Sequence, residues 1–389
     1  MKICHLCLHG PYNEGWNYQE NILPKYHSLQ GHDVYQIVTP YMWDQDKIAI
    51  SPDTKYINKS GVRIVRCKLS KGPTFGGRIT HYPEVMDLLT EITPEILFVH
   101  DVQCIDIRTV VKYLKKHQEC IVYVDNHSDF SNSARNWFSK NILHKVLWRR
   151  MAQMINPYVK RFYGVLPARV DFLVDMYKLP KDKCSLLVMG ADDELVEAAL
   201  NEDKIADTRA EMGIGSNDFL IVTGGKIDLA KTQTLYLMEA IKRIGGEIEL
   251  IVFGSVANEL KERFEDLCRA ENIHYLGWVS AEKSYQVFAA ANLVAFPGRH
   301  SVYWEQAAAL GKPMILKYWD GTTHIDEGGN VKYLYKDSTD EIEDVIRLIL
   351  SGDTYKLMCK VANNNRSRFL YSEIARLSID ENDSYGDDK

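Results

Sequence analysis

Residues 219–253, FLIVTGGKIDLAKTQTLYLMEAIKRIGGEIELIVF, decide the fold of this chain. Phe219 to Val222 are apolar and predict a strand, and residues 223–231 form a loop with two glycines. Apolar side chains then recur at helical spacing, at Leu235, Met238 and Ile241. Two glycines at residues 245–246 predict the end of that helix, and the apolar run at residues 248–253 predicts a second strand. The stretch is therefore a strand–loop–helix–strand unit.

The first forty residues contain the same unit. Lys2 to Leu8 predict a strand, His9 to Asn17 a loop, Gln19 to Leu29 a helix and Val34 to Val38 a second strand. Further apolar runs complete both halves, at residues 96–99, 121–124, 163–166 and 185–188 and at residues 273–276, 293–296 and 314–317. Strands that alternate with helices imply parallel sheets with helices on both faces.

We therefore predict an α/β fold of two Rossmann-like, doubly wound domains that face each other across a cleft, with ligands at the carboxyl ends of the strands. The N-terminal domain is predicted at residues 1–195 and the C-terminal domain at residues 196–363. A helix at residues 364–380 is expected to return to the first domain. Residues 379–389 are acidic and are expected to form a disordered tail.

The composition limits the classes of function. The chain of 389 residues has a net charge of −6, which argues against nucleic acid as a partner. Its apolar stretches are too short to span a membrane, and its N-terminus lacks the apolar core of a signal peptide. Eight scattered cysteines are typical of reduced, buried thiols in a cytoplasmic protein. Cys4 and Cys7 fall on opposite faces of a strand, so no metal site is expected there.

Two lysines flank the loop after the strand at 219–222, which has the sequence GGKIDLAK at residues 224–231. Glycines let the backbone approach a ligand closely, and the helix that follows offers N–H groups at its positive end. Lys226 and Lys231 could there neutralise a diphosphate and stabilise the charge of a departing nucleotide. A solvated loop with two surface lysines explains the same sequence equally well.

A second motif, FPGRHSVYWEQAAALGKP, occupies residues 296–313. It predicts a strand end, a turn and a helix of about ten residues that Gly311 closes. Glu305 lies in the first turns of that helix, where a carboxylate is favourable and could accept both hydroxyls of a ribose. A surface glutamate that stabilises the helix dipole is the alternative interpretation.

In this order and spacing, the motifs GGKxxxxKT and FPGxxSVxWEQAAALGKP resemble the retaining glycosyltransferases of the GT-B fold, family four. The resemblance implies that the two lysines contact the diphosphate, that the glutamate binds the ribose and that backbone atoms at residues 276–279 hold the base. The residues thus implied to bind the donor are Gly225, Lys226, Lys231, Gly254, Val279 and Glu305.

The sugar half of the donor site departs from the family pattern. The family carries a second glutamate before the ribose-binding one, and this chain has Pro297 at that position. We therefore expect the sugar contacts to come from Arg299, His300 and Ser301, or from the backbone of the same turn.

The first domain contributes the other candidate residues. Residues 125–130, DNHSDF, follow a predicted strand, where α/β sheets bind ligands. His127 resembles the histidine that the family places against the donor sugar, which implies a catalytic role; a histidine that caps a turn is the alternative. The resemblance implies further contacts, from Gly15 to the donor and from Trp16, Asn17, Asp129 and Gly190 on the acceptor side.

Neither a cofactor nor a metal ion is expected. Asp125 and Asp129 do not have the spacing of a DxD metal motif, and the two lysines already face the phosphates. Neither strand–loop–helix unit carries GxGxxG, which argues against nicotinamide chemistry.

Residues 135–169 form a basic stretch that contains aromatic residues and no acidic residue. Basic helices with interleaved aromatics suit an anionic membrane surface. A solvated helix pair is a nearly equal alternative, because Arg149 falls among the apolar positions Phe138, Ile142 and Val146. Single-stranded nucleic acid is a weaker alternative, since no RNA-binding motif accompanies the stretch. We expect a cytoplasmic protein that can attach to the inner face of the membrane.

The leading functional hypothesis is a retaining hexosyltransferase that moves a sugar from a nucleoside diphosphate, UDP before others, to a carbohydrate acceptor. A lipid-linked glycan in surface-glycan biosynthesis is one acceptor of this kind. Two alternatives stay open: a nucleotide-sugar epimerase or hydrolase on the same scaffold, and a catalytically silent protein that binds nucleotide sugars. Pro297 makes the silent protein credible.

Overall fold

A computed structural model describes residues 1–45, 47–68, 79–246 and 248–380 of the chain. The chain forms two compact units. The first comprises Met1–Val188 and the residues from Tyr371 onward, and the second comprises Met189–Leu370. Each unit is built on a mainly parallel sheet with helices, which confirms the predicted α/β class and its two Rossmann-like units.

The part of the first unit that the structure describes contains ten strands. They are β1 (Lys2–Cys7), β2 (Asp33–Val38), β3 (Tyr41–Asp44), β4 (Lys47–Ile50), β5 (Lys55–Ile57), β6 (Arg63–Arg66), β7 (Ile96–His100), β8 (Ile121–Asn126), β9 (Val159–Gly164) and β10 (Cys184–Leu186). Eight form one sheet in the order β10-β9-β8-β7-β1-β2-β6-β5, while β3 and β4 form a separate antiparallel hairpin. Within the large sheet all pairs are parallel except β5 with β6.

Apolar strands and amphipathic helices form the core of the first unit. Every residue of β7 is buried, as expected for a parallel strand covered on both faces. Within Met1–Val188, the α-helices of the first unit are α1 (Gln19–Leu29), α2 (Val85–Ile92), α3 (Ile107–Leu114), α4 (Arg149–Ile155) and α5 (Pro167–Asp175). A π-helix at Ser139–Trp148 runs directly into α4.

The second unit has a six-stranded, fully parallel sheet. Its strands are β11 (Phe219–Gly224), β12 (Ile248–Phe253), β13 (Ile273–Tyr275), β14 (Leu293–Phe296), β15 (Met314–Lys317) and β16 (Val331–Leu334). They lie in the order β13-β12-β11-β14-β15-β16. This is the strand order of a Rossmann sheet, in which the winding direction reverses between the first and fourth strands. The switch point of this unit therefore lies between β11 and β14.

The helices of the second unit cover both faces of its sheet. They are α6 (Asp193–Ala199), α7 (Glu202–Glu211), α8 (Gln233–Ile244), α9 (Lys261–Leu267), α10 (Ala281–Ala290), α11 (Tyr303–Ala309), α12 (Thr339–Leu350) and α13 (Thr354–Asn365). In α8, Leu235, Met238 and Ile241 are fully buried, so the helical spacing seen in the sequence is the face that packs on the sheet. Among the described residues, the helices are too short or too polar for any of them to cross a bilayer.

The two units divide earlier in the sequence than expected. The first segment of unit one ends at Val188 rather than at residue 195. Ala191 N donates to Phe369 O at 2.8 Å, and Asp192 N donates to the Tyr285 hydroxyl at 3.0 Å. These hydrogen bonds hold residues 191–192 in the second unit, and polar composition alone did not reveal them.

The single helix predicted at residues 364–380 is two elements. A 3₁₀ turn at Arg366–Phe369 ends α13, and α14 (Tyr371–Ile379) follows it. Leu370 pairs with Ala191 in a short parallel bridge, which interrupts helical hydrogen bonding at that point. Helix α14 packs against α1 of the first unit, and Tyr26 stacks on Tyr371. The predicted acidic tail lies outside the described residues from position 381 onward.

Several short strands did not stand out in the sequence. The strands β3 to β6 and β16 have three or four residues each and carry lysines, arginines or polar tips. Short strands of this kind have no long apolar run to reveal them. Strand β9 begins at Val159, before the predicted range of 163–166. Six of the eight cysteines are buried and all are free thiols, in keeping with their scatter in the sequence.

Candidate functional site

The two sequence motifs meet at the switch point of the second unit. The loop after β11 and the turn after β14 leave neighbouring strands at the same edge of the sheet. Together they line a depression that encloses about 320 Å³ of space open to solvent. The lining residues are Thr223, Gly224, Lys226, Ile227, Lys231, Thr234, Phe296, Pro297, Gly298 and Arg299. In open α/β sheets this is the place where ligands bind.

Three cations surround this depression. The Lys226 side chain is 71% exposed, and its Nζ lies 3.7 Å from Asp228 Oδ2. Lys231 is half-buried; burial, aided by the charge of Arg299 and opposed by Asp228, lowers the pKa of Lys231. Helix α8 begins two residues after Lys231, and none of the described side chains caps it. Positive side chains and helix N–H groups thus converge on one point, an arrangement that fits an anion.

The backbone needs the predicted donor-binding glycines even without a ligand. Gly225 and Gly254 have φ values of 114° and 117°, which side chains rarely adopt. A Cβ atom on Gly254 would lie 1.9 Å from Gly225 O, so the two loops can pack only through glycine. Gly254 N also donates to Gly277 O at 2.7 Å, which ties it to the predicted base-binding segment that contains Val279. Donor contacts from Gly225, Gly254 and Val279 stay predictions.

Glu305 lies in the first turn of α11 and is completely buried. Its Oε1 is 2.9 Å from His300 Nε2 and 2.8 Å from His324 Nε2, so both imidazoles are placed to donate to it. Its Oε2 has no hydrogen-bond partner among the described residues. Burial by itself raises the pKa of Glu305, but His300 and then His324 outweigh burial and lower that pKa to about 2.

This environment shows that the surface-glutamate interpretation of Glu305 is wrong. A buried carboxylate oxygen that lacks a donor costs about 1–3 kcal/mol or more, because it has lost water without gaining a partner. A ligand hydroxyl that reaches Oε2 would recover this free energy. The sequence did not reveal His324, because it lies in the loop after β15 and belongs to neither motif.

The turn between β14 and α11 holds the three residues expected near the sugar. Arg299 is exposed at the rim of the depression. His300 is mostly buried between Glu305 and the edge of the Trp304 ring. Ser301 is half-buried, and its carbonyl accepts from Trp304 N at 2.9 Å. Of the three, Arg299 has its charged group most accessible to a ligand.

Two groups among the described residues have the side chains to hold a metal ion. One is His300, Glu305 and His324, and the other is Cys7, His9 and Glu20. In the first group, hydrogen bonds from both imidazoles to one carboxylate oxygen already explain the geometry. In the second group, burial and the nearby carboxylates raise the pKa of Cys7, which disfavours the thiolate that binds metals.

His127 of the first unit follows β8 directly. Strands β1, β7 and β8 are neighbours, so the loops at their carboxyl ends share one edge of the sheet. The His127 side chain is 27% exposed, and its Nε2 lies 3.5 Å from Asp125 Oδ2. Burial opposes protonation of His127, but the charge of Asp125 prevails and raises the pKa of the imidazole.

The loop after β1 is exposed at the same edge. Gly15 has a φ of 80°, so a side chain there would strain the backbone whether or not a ligand binds. Trp16 is 38% exposed and meets the ring of Tyr18 edge-on, and Asn17 is exposed. The donor and acceptor contacts of Gly15, Trp16 and Asn17 stay predictions.

Two of the residues predicted on the acceptor side, Asp129 and Gly190, lie within the fold of their own units. Asp129 Oδ1 accepts hydrogen bonds from Ser131 N at 2.7 Å and Asn132 N at 2.9 Å, and Oδ2 accepts from Arg169 Nε at 3.2 Å. Asp129 therefore anchors its own loop, and the acceptor contact assigned to it stays a prediction. Gly190 is half-buried and is the second residue of the second unit. Its acceptor-side role also stays a prediction.

The sequence did not reveal a chain of buried histidines behind His127. His100 Nδ1 lies 2.7 Å from Asp125 Oδ2, and His100 Nε2 lies 3.0 Å from His5 Nδ1. His5 Nε2 in turn lies 3.0 Å from His27 Nδ1. All four side chains are buried. The bonded pairs are 22 to 95 residues apart, so no local motif links them.

Acidification is expected to destabilise the first unit through two of these histidines. Burial lowers the pKa of His5 well below its ordinary value and lowers that of His27 to about 3. Below pH 6.5 the unfolded chain therefore binds protons at both positions that the folded chain excludes, and at His27 this difference persists down to about pH 3. The free energy of unfolding should fall with decreasing pH, by about 1.4 kcal/mol per pH unit for each histidine.

Urea unfolding at pH 7, 6 and 5 tests this expectation, with amide exchange in α1 as the local probe. His27→Gln keeps a donor and an acceptor but cannot titrate, so its stability should depend less steeply on pH. An unchanged slope in His27→Gln would contradict the assignment.

With both units described, the architecture defines the class: this chain has the GT-B fold, as its motifs led us to expect. It matches no family model and no curated protein. A glycosyltransferase from Rickettsia africae ESF-5 matches with a TM-score of 0.68 at 14% identity, over 96% of this chain and 96% of that chain. Anabaena Alr3699/HepE in complex with UDP matches with a TM-score of 0.67 at 14% identity, over 97% and 98%.

A third solved structure has a different activity on a similar scaffold. The UDP-GlcNAc 2-epimerase from Neisseria meningitidis, bound to UDP-GlcNAc, matches with a TM-score of 0.62 at 14% identity, over 97% of this chain and 98% of that chain. At such identity the likeness establishes the fold alone. The activity depends on the side chains of the site and not on the fold.

Proposed function

We propose that this protein is a glycosyltransferase that uses a UDP-sugar and transfers the sugar with retention of anomeric configuration. The observation that carries the proposal is the cation-lined depression at the switch point of the second unit. Lys226, Lys231 and Arg299 supply positive charge at its walls, and α8 points its N-terminus toward it. The same charges would stabilise the UDP that departs during transfer.

The nucleotide is assigned from two further features. Glu305 lies on α11, the helix that follows the lining residues Pro297, Gly298 and Arg299 along the chain. Its buried Oε2 has no partner among the described residues, and a ribose hydroxyl is a donor of the right kind. Among nucleoside diphosphates we prefer UDP, because the solved structure of Anabaena Alr3699/HepE contains UDP. Because His300 already donates to Glu305, we assign the first sugar contact to Arg299, with Ser301 as a second candidate.

A binding panel followed by product analysis tests the proposal. UDP, GDP and ADP are titrated first, and UDP is expected to bind most tightly. UDP-sugars are then incubated with and without carbohydrate acceptors. A product that forms only with acceptor supports a transferase, and its anomeric configuration reports retention or inversion. A rearranged sugar nucleotide without acceptor would identify an epimerase, the second candidate, while free sugar would identify a hydrolase. UDP binding without turnover would identify a silent binding protein.

Turnover is expected to be insensitive to EDTA. Three cationic side chains can neutralise the diphosphate without a divalent ion, so removal of metal should leave the rate unchanged. The rate of UDP release in EDTA, compared with the rate in excess Mg²⁺, measures this. Abolished turnover in EDTA, restored by Mg²⁺, would show that the proposal of metal independence is wrong.

We propose further that the π-helix of the first unit attaches the protein to an anionic membrane surface. Trp137, Phe138, Ile142 and Val146 are exposed, by 72%, 58%, 41% and 59%. A π-helix has a wider turn than an α-helix, which changes the side on which Arg149 emerges. Arg149 Nε donates to Met176 O at 2.6 Å and is half-buried, so it does not interrupt the exposed apolar face.

The membrane proposal predicts a specific loss of vesicle binding. Exposed cations at Lys140, Lys145 and Arg150 flank the apolar face, so phosphatidylglycerol vesicles should bind and phosphatidylcholine vesicles should not. Replacing Trp137 and Phe138 together by serine should weaken binding by about tenfold or more, since each ring contributes buried apolar area. Trp278→Ser, at an equally exposed tryptophan of the second unit, is the control. Equal binding to both vesicle types would contradict the membrane proposal.

A further inference from the structure

The histidine chain ends at α14, and this end fixes the direction of its hydrogen bonds. His27 Nε2 lies 3.0 Å from Ser378 Oγ and 3.1 Å from Ala375 O. The Ser378 hydroxyl donates to the same carbonyl at 2.8 Å. Because a carbonyl oxygen only accepts, and the Ser378 proton points at it, His27 Nε2 must carry a proton. Burial keeps the pKa of His27 at about 3, so the ring is neutral and its Nδ1 is an acceptor.

Each further hydrogen bond toward His100 has its donor and acceptor fixed in the same way. His5 Nε2 must donate to His27 Nδ1, and since burial also keeps His5 neutral, its Nδ1 must accept. His100 Nε2 must then donate to His5 Nδ1. His100 Nδ1 faces the Asp125 carboxylate, which is a second acceptor. His100 therefore carries a proton on both nitrogens and bears a positive charge.

We propose that His100, held in its charged form by His5 and His27, is a positioning residue that sets the charge of His127 through Asp125. His127 Nε2 lies 3.5 Å from Asp125 Oδ2, the same oxygen that accepts from His100. A positive His100 offsets the charge of Asp125 and so weakens the attraction of a proton to His127. We call the chain from Ser378 through His27, His5 and His100 to Asp125 the relay.

The catalytic importance of this inference rests on the proposed function, in which His127 acts on the donor sugar. The hydrogen bonds of the relay belong entirely to the first unit and exist without any donor. The state of the relay can therefore be measured whether or not the protein transfers sugar.

Other groups face the same rings, and their effects can be separated from that of the relay. His32 lies beside His27, and Glu20 and Arg169 lie near His127 with opposite effects on its charge. Gln19 Nε2 donates to Asp125 Oδ2 at 3.3 Å, and Asp101 N donates to its Oδ1 at 3.1 Å. These amide donors stabilise the carboxylate form of Asp125 and do not titrate. A change in His5 or His27 thus reaches His127 through His100.

Nitrogen and carbon NMR of histidine-labelled protein shows directly which imidazole nitrogens carry protons. In the donor-free protein at pH 7, His5 and His27 should be neutral with the proton on Nε2, and His100 should be protonated on both nitrogens. Assignments come from the loss of each signal in single variants. A neutral His100 protonated on Nδ1 alone, with His5 and His27 protonated on Nδ1, would overturn the proposal, because the relay would then run the other way.

Titration of His127 tests the consequence. His5→Phe removes the acceptor for His100 Nε2–H, so His100 should lose its charge and the midpoint of the His127 titration should rise by about one pH unit. His5→Gln restores an acceptor and a donor and should return the midpoint to the wild-type value. His144→Phe removes another buried histidine of the same unit, which bonds the Tyr177 hydroxyl at 3.0 Å, and should leave His127 unchanged.

Two results would overturn this part of the proposal. One is an unchanged His127 midpoint in folded His5→Phe, and the other is an equal shift in His144→Phe. If His5→Phe does not fold, the proton positions in the wild-type protein still determine the direction of the hydrogen bonds in the relay. Loss of sugar transfer with an intact relay would contradict the proposed function alone.

Discussion

Replacing Lys231 by alanine is expected to weaken UDP binding by roughly 30-fold. A hydrogen bond to a charged group contributes about 1.5–3 kcal/mol, and tenfold in affinity corresponds to about 1.4 kcal/mol. Lys231 is half-buried at the start of α8, where water screens its charge less than it screens the charge of exposed Lys226. Burial also lowers the pKa of Lys231, and a bound diphosphate would favour the charged ammonium. The larger share of the binding energy should therefore come from Lys231.

Calorimetric titration with UDP measures the effect, and two variants accompany it. Lys226→Ala should weaken binding by only about fivefold, because an exposed ion pair contributes little. Lys242→Ala removes a cation from the last turn of the same helix, away from the depression, and should leave the affinity unchanged. If Lys231→Ala and Lys242→Ala bound UDP equally well, the diphosphate site would have to lie elsewhere.

Replacing Glu305 by glutamine is expected to remove recognition of the ribose hydroxyls. Wild-type protein should prefer UDP over 2′,3′-dideoxy-UDP by roughly 30-fold or more, since the dideoxy compound leaves buried Oε2 without a donor. In Glu305→Gln the preference should fall to about threefold, because a neutral amide gains less from a hydroxyl. The decisive quantity is the ratio of the two affinities in each protein, which a general loss of binding does not change.

Stability must be checked in the same variant. Glu305 is ionised against two imidazoles, and its lowered pKa means that its stabilising contribution is present above about pH 4.5 and is lost as the pH falls toward 2. Thermal unfolding at pH 7 identifies any global damage in Glu305→Gln. Glu282→Gln, in the exposed first turn of α10, is the matched control. An unaltered preference for UDP in folded Glu305→Gln would exclude a ribose contact.

The parts of the site that lie close together in the sequence could be predicted from it. Strand, glycine loop and helix follow one another around Lys226 and Lys231, so apolar periodicity placed both lysines at the end of β11. Glu305 was placed in the first turn of a helix by the same means. These positions follow from the order of elements along the chain, which a sequence displays directly.

The parts that depend on distant residues could not be predicted. His324, which bonds the buried Glu305, comes from the loop after β15. His100, which bonds the Asp125 carboxylate beside His127, lies on a neighbouring strand. Each partner is a single residue without a local pattern, and only the strand order brings it into place. The π-helix was missed for another reason: an α-helical period placed Arg149 on the apolar face, and the wider turn removes it.

The position of α14 has a consequence for the order in which the protein can fold during synthesis. The first unit includes both Met1–Val188 and the residues from Tyr371, so the ribosome completes it only after all of Met189–Leu370 has been made. At about 5–20 residues per second this interval lasts on the order of ten to forty seconds. During that time the face of α1 that will receive α14 has no covering helix, and His27 lacks Ser378. The nascent first unit would therefore be a natural client of chaperones until α14 has been made.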